Sequence, residues 1–341
     1  MKELPRVINT VDELEELLSR PSRSLVDFMR ELDGDIMILG AGGKVGPTMV
    51  RMAKRAADVA GVKKQIIAVD IVPLEDFAIE GIQIIKCDML NLNQVEKLPK
   101  SENIIYMVGR KFGSTGAEHL TWAINVIVSY HIARTFTDSR IVVFSTGCVY
   151  PLRDIKTGGA TEETPVDPVG EYAMSCLGRE RMFDYFSETA GERIVQLRLN
   201  YALELRYGVL VDIATEVFNE EPIDVTTGYA NGIWQGDACD QIIRSLKLAL
   251  SPATILNITG PEMFSIRDVA KKFGKLFGKK PVFVNEENRS AYISDVTKAK
   301  AIFGNPTVPL GKVIEWTAHW IKSGGENLGI PTHFETQDGK Y

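Results

Sequence analysis

Short apolar, strand-like runs alternate with helical segments through the first 200 residues, and this alternation constrains the fold more than any other feature. Buried parallel strands joined by helices form a βαβ series, which winds into an open sheet with helices on both faces. The sequence therefore predicts an α/β fold with a doubly wound parallel sheet and ligands at the carboxyl ends of its strands. The strand-like runs are Asp35–Leu39, 66–70, 82–88, 103–109, 140–146 and 193–200.

The pattern differs on either side of this series. Residues 1–33 are predicted to form a helical N-terminal extension, which Pro21 interrupts. Beyond residue 200, Gly- and Pro-containing turns between short apolar pieces predict a smaller, mixed lobe, and the polar end of the chain is either an ordered arm at an oligomer contact or a frayed end. Asp237–Leu250 is expected to be a helix that returns to the first lobe, and 256–260 a strand. The predicted units are the extension 1–33, the sheet domain 34–200 completed by parts of 233–260, a mainly substrate-binding lobe 201–323, and a tail 324–341.

Charge and composition exclude several classes of partner. The net charge of −6 opposes binding to nucleic acid or an anionic membrane. The N-terminal segment has no apolar core of a signal peptide, and no run reaches the roughly 18 apolar residues of a membrane span, so a cytoplasmic protein is expected. The four cysteines and four histidines lack metal-ligand spacing, and we expect no metal site.

A glycine-rich segment follows the first strand and opens a helix-like stretch. Gly40, Gly43 and Gly46 give the spacing GxxGxxG, which permits a tight turn, close approach of the backbone to a pyrophosphate and close helix packing. An ordinary glycine turn would have the same composition. Asp70 ends the next strand, 24 residues after Gly46, where a carboxylate accepts hydrogen bonds from ribose hydroxyls and repels a 2′-phosphate. This arrangement predicts a Rossmann nucleotide site that prefers NAD to NADP. The predicted cofactor-binding residues are Gly40, Gly43, Lys44, Val45, Gly46, Asp70, Asp88, Met89, Val108 and Gly109.

From about residue 35 to 320 the chain resembles the extended short-chain dehydrogenase/reductase family of NAD-dependent epimerases and dehydratases. The resemblance rests on the glycine loop, Asp70 and four short motifs. These motifs are Asp88-Met-Leu-Asn91, Trp122-Ala-Ile-Asn125, Phe144-Ser-Thr-Gly-Cys-Val-Tyr150 and Glu171-Tyr-Ala-Met-Ser-Cys176. It implies a catalytic set of Asn125, Thr146 and Tyr172, a role in carbohydrate metabolism, and a homodimer formed through two helices.

One departure from the family is informative. The residue four after Tyr172 is Cys176, where the family's YxxxK motif has a lysine that favours the tyrosinate and holds the nicotinamide ribose. A neutral thiol does neither well, and we expect Cys176 to fill space. Arg110, Lys111 and Arg179 are candidate replacement cations, with Lys111 and Arg179 ranked equally.

Two further features bear on the reaction. Gly147 and Cys148 stand where the family's sugar dehydratases carry an acidic pair, so water elimination is not expected. The remaining reaction is reversible oxidation of a hydroxyl of a sugar, sugar acid or nucleotide sugar. The protein would catalyse it either as a dehydrogenase or as the first half of an epimerisation. The alternative is a non-catalytic NAD(H)-binding sensor or partner protein, in which Tyr172 only packs. Residues expected at the substrate are Lys111, Cys148, Arg153, Asn200, Arg206 and Trp234.

Overall fold

The computed structural model describes residues 3–74 and 81–340, so the first two residues of the extension and the last residue of the tail lie outside the described residues. The helices are α1 Val11–Leu18, α2 Arg23–Glu31, α3 Gly46–Ala60, α4 Leu92–Val95, α5 Glu118–Trp122, α6 Val128–Thr135, α7 Gly170–Ala190, α8 Val209–Asn219, α9 Gln235–Arg244, α10 Ile266–Phe277, α11 Thr297–Phe303 and α12 Leu310–Lys322. The strands are β1 Ile36–Leu39, β2 Ile66–Asp70, β3 Ile82–Lys86, β4 Asn103–Tyr106, β5 Arg140–Thr146, β6 Arg153–Asp154, β7 Arg193–Leu199, β8 Ala202–Leu203, β9 Pro222–Asp224, β10 Tyr229–Asn231, β11 Ile233–Trp234, β12 Thr254–Ile258, β13 Met263–Ser265, β14 Val282–Val284 and β15 Ser290–Ala291.

Within the described residues, seven parallel strands form the central sheet, in the order β12-β7-β5-β4-β1-β2-β3. Ile36 of β1 pairs with Ile66 of β2 on one side and with Asn103 of β4 on the other. The chain winds outward in opposite directions from β1 and β4, and such a reversal opens a crevice at the carboxyl edge. The predicted doubly wound sheet is confirmed.

Side chains of the central strands alternate between two cores. Ile36 and Ile38 face a core shared with α2, α3 and α9, whereas Met37 and Leu39 face a core shared with α6 and α7. A strand covered on both faces has to be apolar at every position, which explains the continuous IMIL run. The predicted helix 237–250 is shorter in the structure: α9 ends at Arg244, because the chain tightens into a 3-10 turn at Ser245–Leu248. The strand that follows, β12, joins the edge of the sheet beside β7.

The C-terminal part forms a smaller lobe of short two-stranded sheets and the helices α8, α10 and α12. Its core also contains Leu14 and Leu18 from α1. Hydrogen bonds tie the N-terminal extension to α12: Trp316 Nε1 donates to the carbonyl of Pro5 at 3.1 Å, and Lys312 Nζ donates to that of Arg6 at 3.2 Å. Across the described ranges, none of the helices combines the length and the apolar character that a membrane crossing requires.

Candidate active site

The glycine loop connects β1 to α3 with its backbone held against neighbouring main chain. Gly40 has φ of +88°, and a Cβ there would lie 2.9 Å from the main chain that follows β4. A Cβ on Gly46 would lie 2.0 Å from the carbonyl oxygen of Ala41. Both positions therefore require glycine. The outer face of the loop, at Gly42 and Gly43, lines two adjoining cavities.

The smaller cavity, of about 330 Å³, lies beside the ends of β2 and β3. Asp70 Oδ2 accepts a hydrogen bond from the Gly42 amide at 2.8 Å, and Oδ1 accepts from the amides of Ile71 and Val72. A carboxylate oxygen has two lone pairs, so Oδ2 keeps acceptor capacity toward the cavity. Asp88 caps its own turn by accepting from the Leu90 amide at 3.0 Å. Most of the predicted cofactor residues line this cavity, namely Gly40, Gly43, Asp70, Asp88, Met89, Val108 and Gly109.

The larger cavity, of about 680 Å³, lies beyond the loop at the ends of β4, β5 and β7. The first turns of α7 bring Tyr172 to its wall, where the phenol hydrogen-bonds the hydroxyl of Thr146 at the end of β5. Thr146 Oγ1 also accepts from the Cys148 amide at 3.2 Å. The structure thus brings together the predicted tyrosine and threonine at one edge of the sheet.

Cys176 lies one turn along α7 and is fully buried. Burial raises the pKa of its thiol to about 11, although Arg179 opposes that change. The group is therefore a neutral thiol near pH 7, and it hydrogen-bonds the phenol of Tyr172.

Arg179 lies one further turn along the same face of α7, and its guanidinium lines the cavity although the residue is only 4% exposed. Nη1 donates to the carbonyl of Phe144 at 2.7 Å, and Nη2 donates to Asn125 Oδ1 at 2.8 Å. A Cβ on Gly109 would lie 2.5 Å from Nη2, so glycine at this position makes room for the guanidinium. The cation is thus fixed between α7, the end of β5 and the loop that follows β4.

Asn125 holds this arrangement from a π-helical turn, Ala123–Ile127, between α5 and α6. Its Oδ1 accepts from Arg179 and from the Arg110 amide, and its Nδ2 donates to the Arg110 carbonyl at 3.1 Å and to Ser175 Oγ at 2.8 Å. All four hydrogen-bonding positions of the amide are occupied. These bonds link Asn125 to Arg179, to the loop that follows β4 and to Ser175 of α7.

The electrostatics of Tyr172 are set by competing effects. Burial raises the pKa of the phenol well above its usual value, and the thiols of Cys176 and Cys148 add to that increase. The Arg179 cation and the hydrogen bond from Thr146 lower the pKa. Of the two cations ranked equally from the sequence, Arg179 is the one whose charge acts on Tyr172 most directly.

A buried ion pair anchors the middle of α7. Arg198 of β7 donates to Glu180 Oε1 at 3.0 Å through Nε and to Oε2 at 2.8 Å through Nη2. Glu180 is fully buried, Arg198 is 3% exposed, and Ser145 also donates to Glu180. This bidentate pair fixes the rotation of the helix that carries Tyr172.

Two lysines line the larger cavity. Lys44, from the glycine loop, donates to the carbonyl of Ala202 at 2.8 Å and lies 4.0 Å from the ring centroid of Tyr207. Burial lowers the pKa of Lys44 to about 8. Lys111 donates to the carbonyl of Thr332 at 3.3 Å, and burial lowers its pKa as well.

Residues near both ends of the chain line the larger cavity, and the sequence analysis did not predict them. Glu15 of α1 reaches the cavity and forms ion pairs with Arg51 and, at 2.7 Å, with Arg206. The tail is an ordered arm, of which Leu328, Ile330 and Thr332 line the cavity. Two apolar residues alternating in a polar tail were a weak signal for this arm, and nothing in the sequence singled out Glu15.

The residues expected at the substrate are not all brought together. Lys111, Cys148, Asn200 and Arg206 line the larger cavity, whereas Arg153 and Trp234 do not. Trp234 is 2% exposed and packs edge-on against Trp316, with ring centroids 5.5 Å apart, so its indole belongs to the core of the C-terminal lobe. Arg153 lies on β6, which pairs with β15, and it is not among the residues that line the cavity.

Of the remaining predicted residues, Lys44 and Val45 line the larger cavity and Gly46 serves helix packing. Arg110 turns back to its own loop, donating to the Gly113 carbonyl at 2.9 Å. Tyr201, which sequence reasoning missed, lines the cavity with a positive φ of 30° directly after β7. Within residues 3–74 and 81–340, no group of three or more His, Cys, Asp or Glu side chains is placed to hold a metal ion.

The sheet order and the glycine loop between β1 and α3 define a Rossmann-like fold. Residues 36–202 match the model of the NAD-dependent epimerase/dehydratase family. No curated protein sequence matches the chain.

Solved structures agree with this fold. The chain is similar to MoeE5 in complex with UDP-glucose and NAD (TM-score 0.70, 18% identity, 85% of this chain and 99% of that chain). It is also similar to the dTDP-glucose 4,6-dehydratase DesIV from Streptomyces venezuelae with NAD and TYD bound (TM-score 0.72, 17% identity, 84% and 97%). A third similar structure is the UDP-glucose 4-epimerase of Thermus thermophilus in complex with NAD (TM-score 0.68, 18% identity, 84% and 99%).

Proposed function

We propose that the protein binds NAD and catalyses reversible oxidation of a hydroxyl group on a sugar-like substrate, as a dehydrogenase or as an epimerase. The observation that carries the proposal is the pairing of Tyr172 with Thr146 on the wall of a cavity that adjoins the glycine loop. A buried cation, Arg179, lies on the same helix face as Tyr172. The cofactor, the proton acceptor and a charge that favours tyrosinate would then share one cleft.

The residues present fit a dinucleotide. The two cavities share Gly42, Gly43, Met107 and Gly109, so an extended ligand can run from one to the other over the glycine loop. Asp70 Oδ2 retains acceptor capacity for a ribose hydroxyl, and its charge disfavours a 2′-phosphate. The N-terminus of α3 and the ammonium of Lys44 are suited to the pyrophosphate. The similar structures solved with NAD support the same cofactor.

Bound NAD supplies the acceptor for the hydride that leaves the substrate carbon. Thr146 and Tyr172 hold the reacting hydroxyl by hydrogen bonds, and the Tyr172 oxygen takes up the hydroxyl proton. Arg179 stabilises the tyrosinate in the place of the missing lysine, and Asn125 keeps the guanidinium in position. Because burial raises the pKa of Tyr172, we expect oxidation to accelerate as the pH rises from neutral toward alkaline values.

The residues after Thr146 favour oxidation without elimination. Gly147 and Cys148 form a 3-10 turn at the cavity, and neither carries a carboxyl group for the removal of water. We therefore propose a dehydrogenase or an epimerase rather than a dehydratase.

We further propose that the protein forms a homodimer through the α5–α6 segment and α7. Large apolar side chains stay exposed on these neighbouring helices: Trp122 at 38%, Tyr130 at 40% and Ile127 at 48% on one, and Met174 at 45% and Tyr185 at 58% on the other. Pairing two copies would cover this surface. Light scattering during gel filtration measures the mass, and a mass of one chain at micromolar concentration would contradict the dimer.

The test of function compares Tyr172→Phe with the unchanged protein. Anaerobic absorbance at 340 nm follows NADH on addition of sugars, sugar acids and nucleotide sugars, and NADH fluorescence follows cofactor binding. We expect Tyr172→Phe to keep NADH affinity and to lose about 100-fold or more of the turnover. Tyr229→Phe, at a half-buried position on β10 that lines neither cavity, is the matched control and should be unchanged.

Arg179 is tested in the same assay. Arg179→Gln should slow turnover and move the pH profile to higher pH, whereas Arg179→Lys should restore part of the rate. Cofactor binding without redox change for any compound would favour the NAD(H)-binding sensor. Absence of NADH binding would contradict both functions.

A further inference from the structure

Two stretches of chain flank the glycine-loop end of the larger cavity. One is the glycine loop itself with the start of α3, which lines the cavity at Lys44, Val45 and Pro47. The other is residues 202–208, here called the facing segment, which follows β7 and includes β8. It lines the cavity at Ala202, Arg206, Tyr207 and Gly208. A ligand on the glycine loop therefore lies beside the facing segment.

The side chain of Lys44 joins the glycine loop to the facing segment. Its Nζ donates to the carbonyl of Ala202 at 2.8 Å and lies 4.0 Å from the ring centroid of Tyr207. A Cβ on Gly208 would lie 3.8 Å from the same nitrogen. The loop and the facing segment are thus in contact across the edge of the cavity.

Glu15 of α1 forms a second link between the same two parts. One of its carboxylate oxygens pairs with Arg51 of α3, the helix that the glycine loop opens. The other oxygen lies 2.7 Å from Nη2 of Arg206 in the facing segment. The carboxylate also lines the larger cavity. A single side chain from the N-terminal extension therefore bridges α3 and the facing segment.

The position of Glu15 is fixed because α1 is held on two sides. Leu14 and Leu18 are fully buried in the core of the C-terminal lobe. Arg55 of α3 donates to the carbonyl of Glu16 at 2.8 Å and to Ser19 Oγ at 2.7 Å. A shift of α1 relative to α3 would break these contacts, so the Glu15 carboxylate has little freedom to leave its arginines.

Arg206 is held by further contacts on its other side. Its Nε donates to Glu204 at 3.0 Å, and its carbonyl accepts from the Leu328 amide of the C-terminal arm at 3.0 Å. Two carboxylates therefore neutralise the guanidinium. The side chains of Arg206 and Glu15 are only 16% and 17% exposed, and salt screens such pairs less than exposed ones. The role that these contacts support for Arg206 is to hold the facing segment.

We infer that Glu15 is a positioning residue that holds the facing segment over the glycine loop, through Arg51 and Arg206, and thereby slows both entry and release of NAD(H). The inference rests on the proposed function, because NAD is proposed to lie on the glycine loop. A ligand under a closed segment enters or leaves only when the segment opens. A link that favours the closed state therefore slows both steps.

Stopped-flow fluorescence of NADH with the full chain measures both rate constants. Mixing with NADH gives association, and displacement by excess NAD gives dissociation. Glu15→Gln should raise both rate constants by about threefold to tenfold and change the dissociation constant by less than about twofold. Arg51→Gln cuts the link to α3 but keeps the pair of Glu15 with Arg206, and it should raise both rates in the same way.

The neighbouring carboxylate on α1 provides the matched control. Glu16 also pairs with an arginine of α3, Arg55, at 2.9 Å, but it lines neither cavity of the candidate site. Glu16→Gln should leave both rate constants unchanged. This comparison separates the bridge to Arg206 from a general loosening of α1, and thermal denaturation of each variant measures such loosening directly.

The outcomes separate this inference from the proposed function. Faster exchange in Glu15→Gln and Arg51→Gln, without any redox change at 340 nm, supports the inference while the oxidation fails. Absence of NADH binding to the unchanged protein contradicts both. Equal rates in Glu15→Gln and the unchanged protein, or an equal rise in Glu16→Gln, overturn the inference alone. Faster association with slower dissociation in Glu15→Gln also overturns it, because the charge would then act directly on the cofactor phosphates.

Discussion

The buried carboxyl group of Glu192 is expected to make the stability of the folded protein depend on pH. The residue lies between α7 and β7, is 1% exposed, and neither carboxylate oxygen has a hydrogen-bond partner among the described residues. Burial alone raises the pKa of this carboxyl from 4.5 to about 7. The folded protein therefore holds the proton more tightly than the unfolded chain, and stability falls as the pH rises from about 4.5 through 7.

The size of the effect follows from this pKa. Each pKa unit is worth about 1.4 kcal/mol, so the rise from 4.5 to about 7 amounts to at most about 3 kcal/mol above pH 7. Glu192→Gln removes the ionisation while keeping the shape. The variant should match the unchanged protein near pH 4.5 and exceed its stability by up to about 3 kcal/mol at pH 8. For 341 residues, an unfolding entropy of about 2.1 cal/mol/K per residue converts this to about 4 °C in Tm.

Thermal denaturation between pH 4.5 and 8.5 measures the difference. Glu188→Gln, at an exposed position near the end of α7, is the control and should show no comparable pH-dependent difference. A Tm difference for Glu192→Gln that is independent of pH, or one that favours the unchanged protein at pH 8, would contradict this account of the buried carboxyl.

Three further predictions concern the site and its support. Glu180→Ala leaves Arg198 buried without its partner and should lower the free energy of unfolding by about 3–5 kcal/mol in urea denaturation; a loss below about 1 kcal/mol would contradict this. NADH affinity, measured by fluorescence titration, should weaken as the pH rises through about 8, because Lys44 loses its charge, and Lys44→Met should remove that dependence. Gly46→Ala should lower the Tm of the cofactor-free protein by several degrees, because the new Cβ would clash with the carbonyl oxygen of Ala41. Gly43→Ala should change the Tm little, because its Cβ would lie 3.5 Å from the nearest atom, the carbonyl oxygen of Gly40.

The sheet could be predicted because its signals are local. The runs 66–70 and 140–146 coincide with β2 and β5, since a strand buried on both faces is apolar throughout and ends at a turn. The glycine loop and the helix that follows it are equally local. Thr146 and Tyr172 were singled out by the family resemblance, and both line the larger cavity.

The cavity-lining residues that come from distant segments of the chain could not be predicted, because their positions depend on long-range packing. A tryptophan such as Trp234 is a suitable residue for stacking on a sugar. In the structure, however, it packs in a core against Trp316, which lies 82 residues later in the sequence. Sequence reasoning also ranked Lys111 and Arg179 equally. The structure distinguishes them by their hydrogen-bond partners. Arg179 donates to Asn125, whereas Lys111 donates to the carbonyl of Thr332.

The bonds between the N-terminal extension and α12 have a consequence for synthesis of the chain. The carbonyl of Pro5 accepts from the indole of Trp316, which is made 311 positions later. At about 5–20 residues per second, translation leaves this segment without its partner for about 15 to 60 s. The apolar face of α1, with Leu14 and Leu18, belongs to a core that also contains α12, so part of its cover is made late as well. The segment around Pro5 and Arg6 therefore completes its contacts only after α12 has been made.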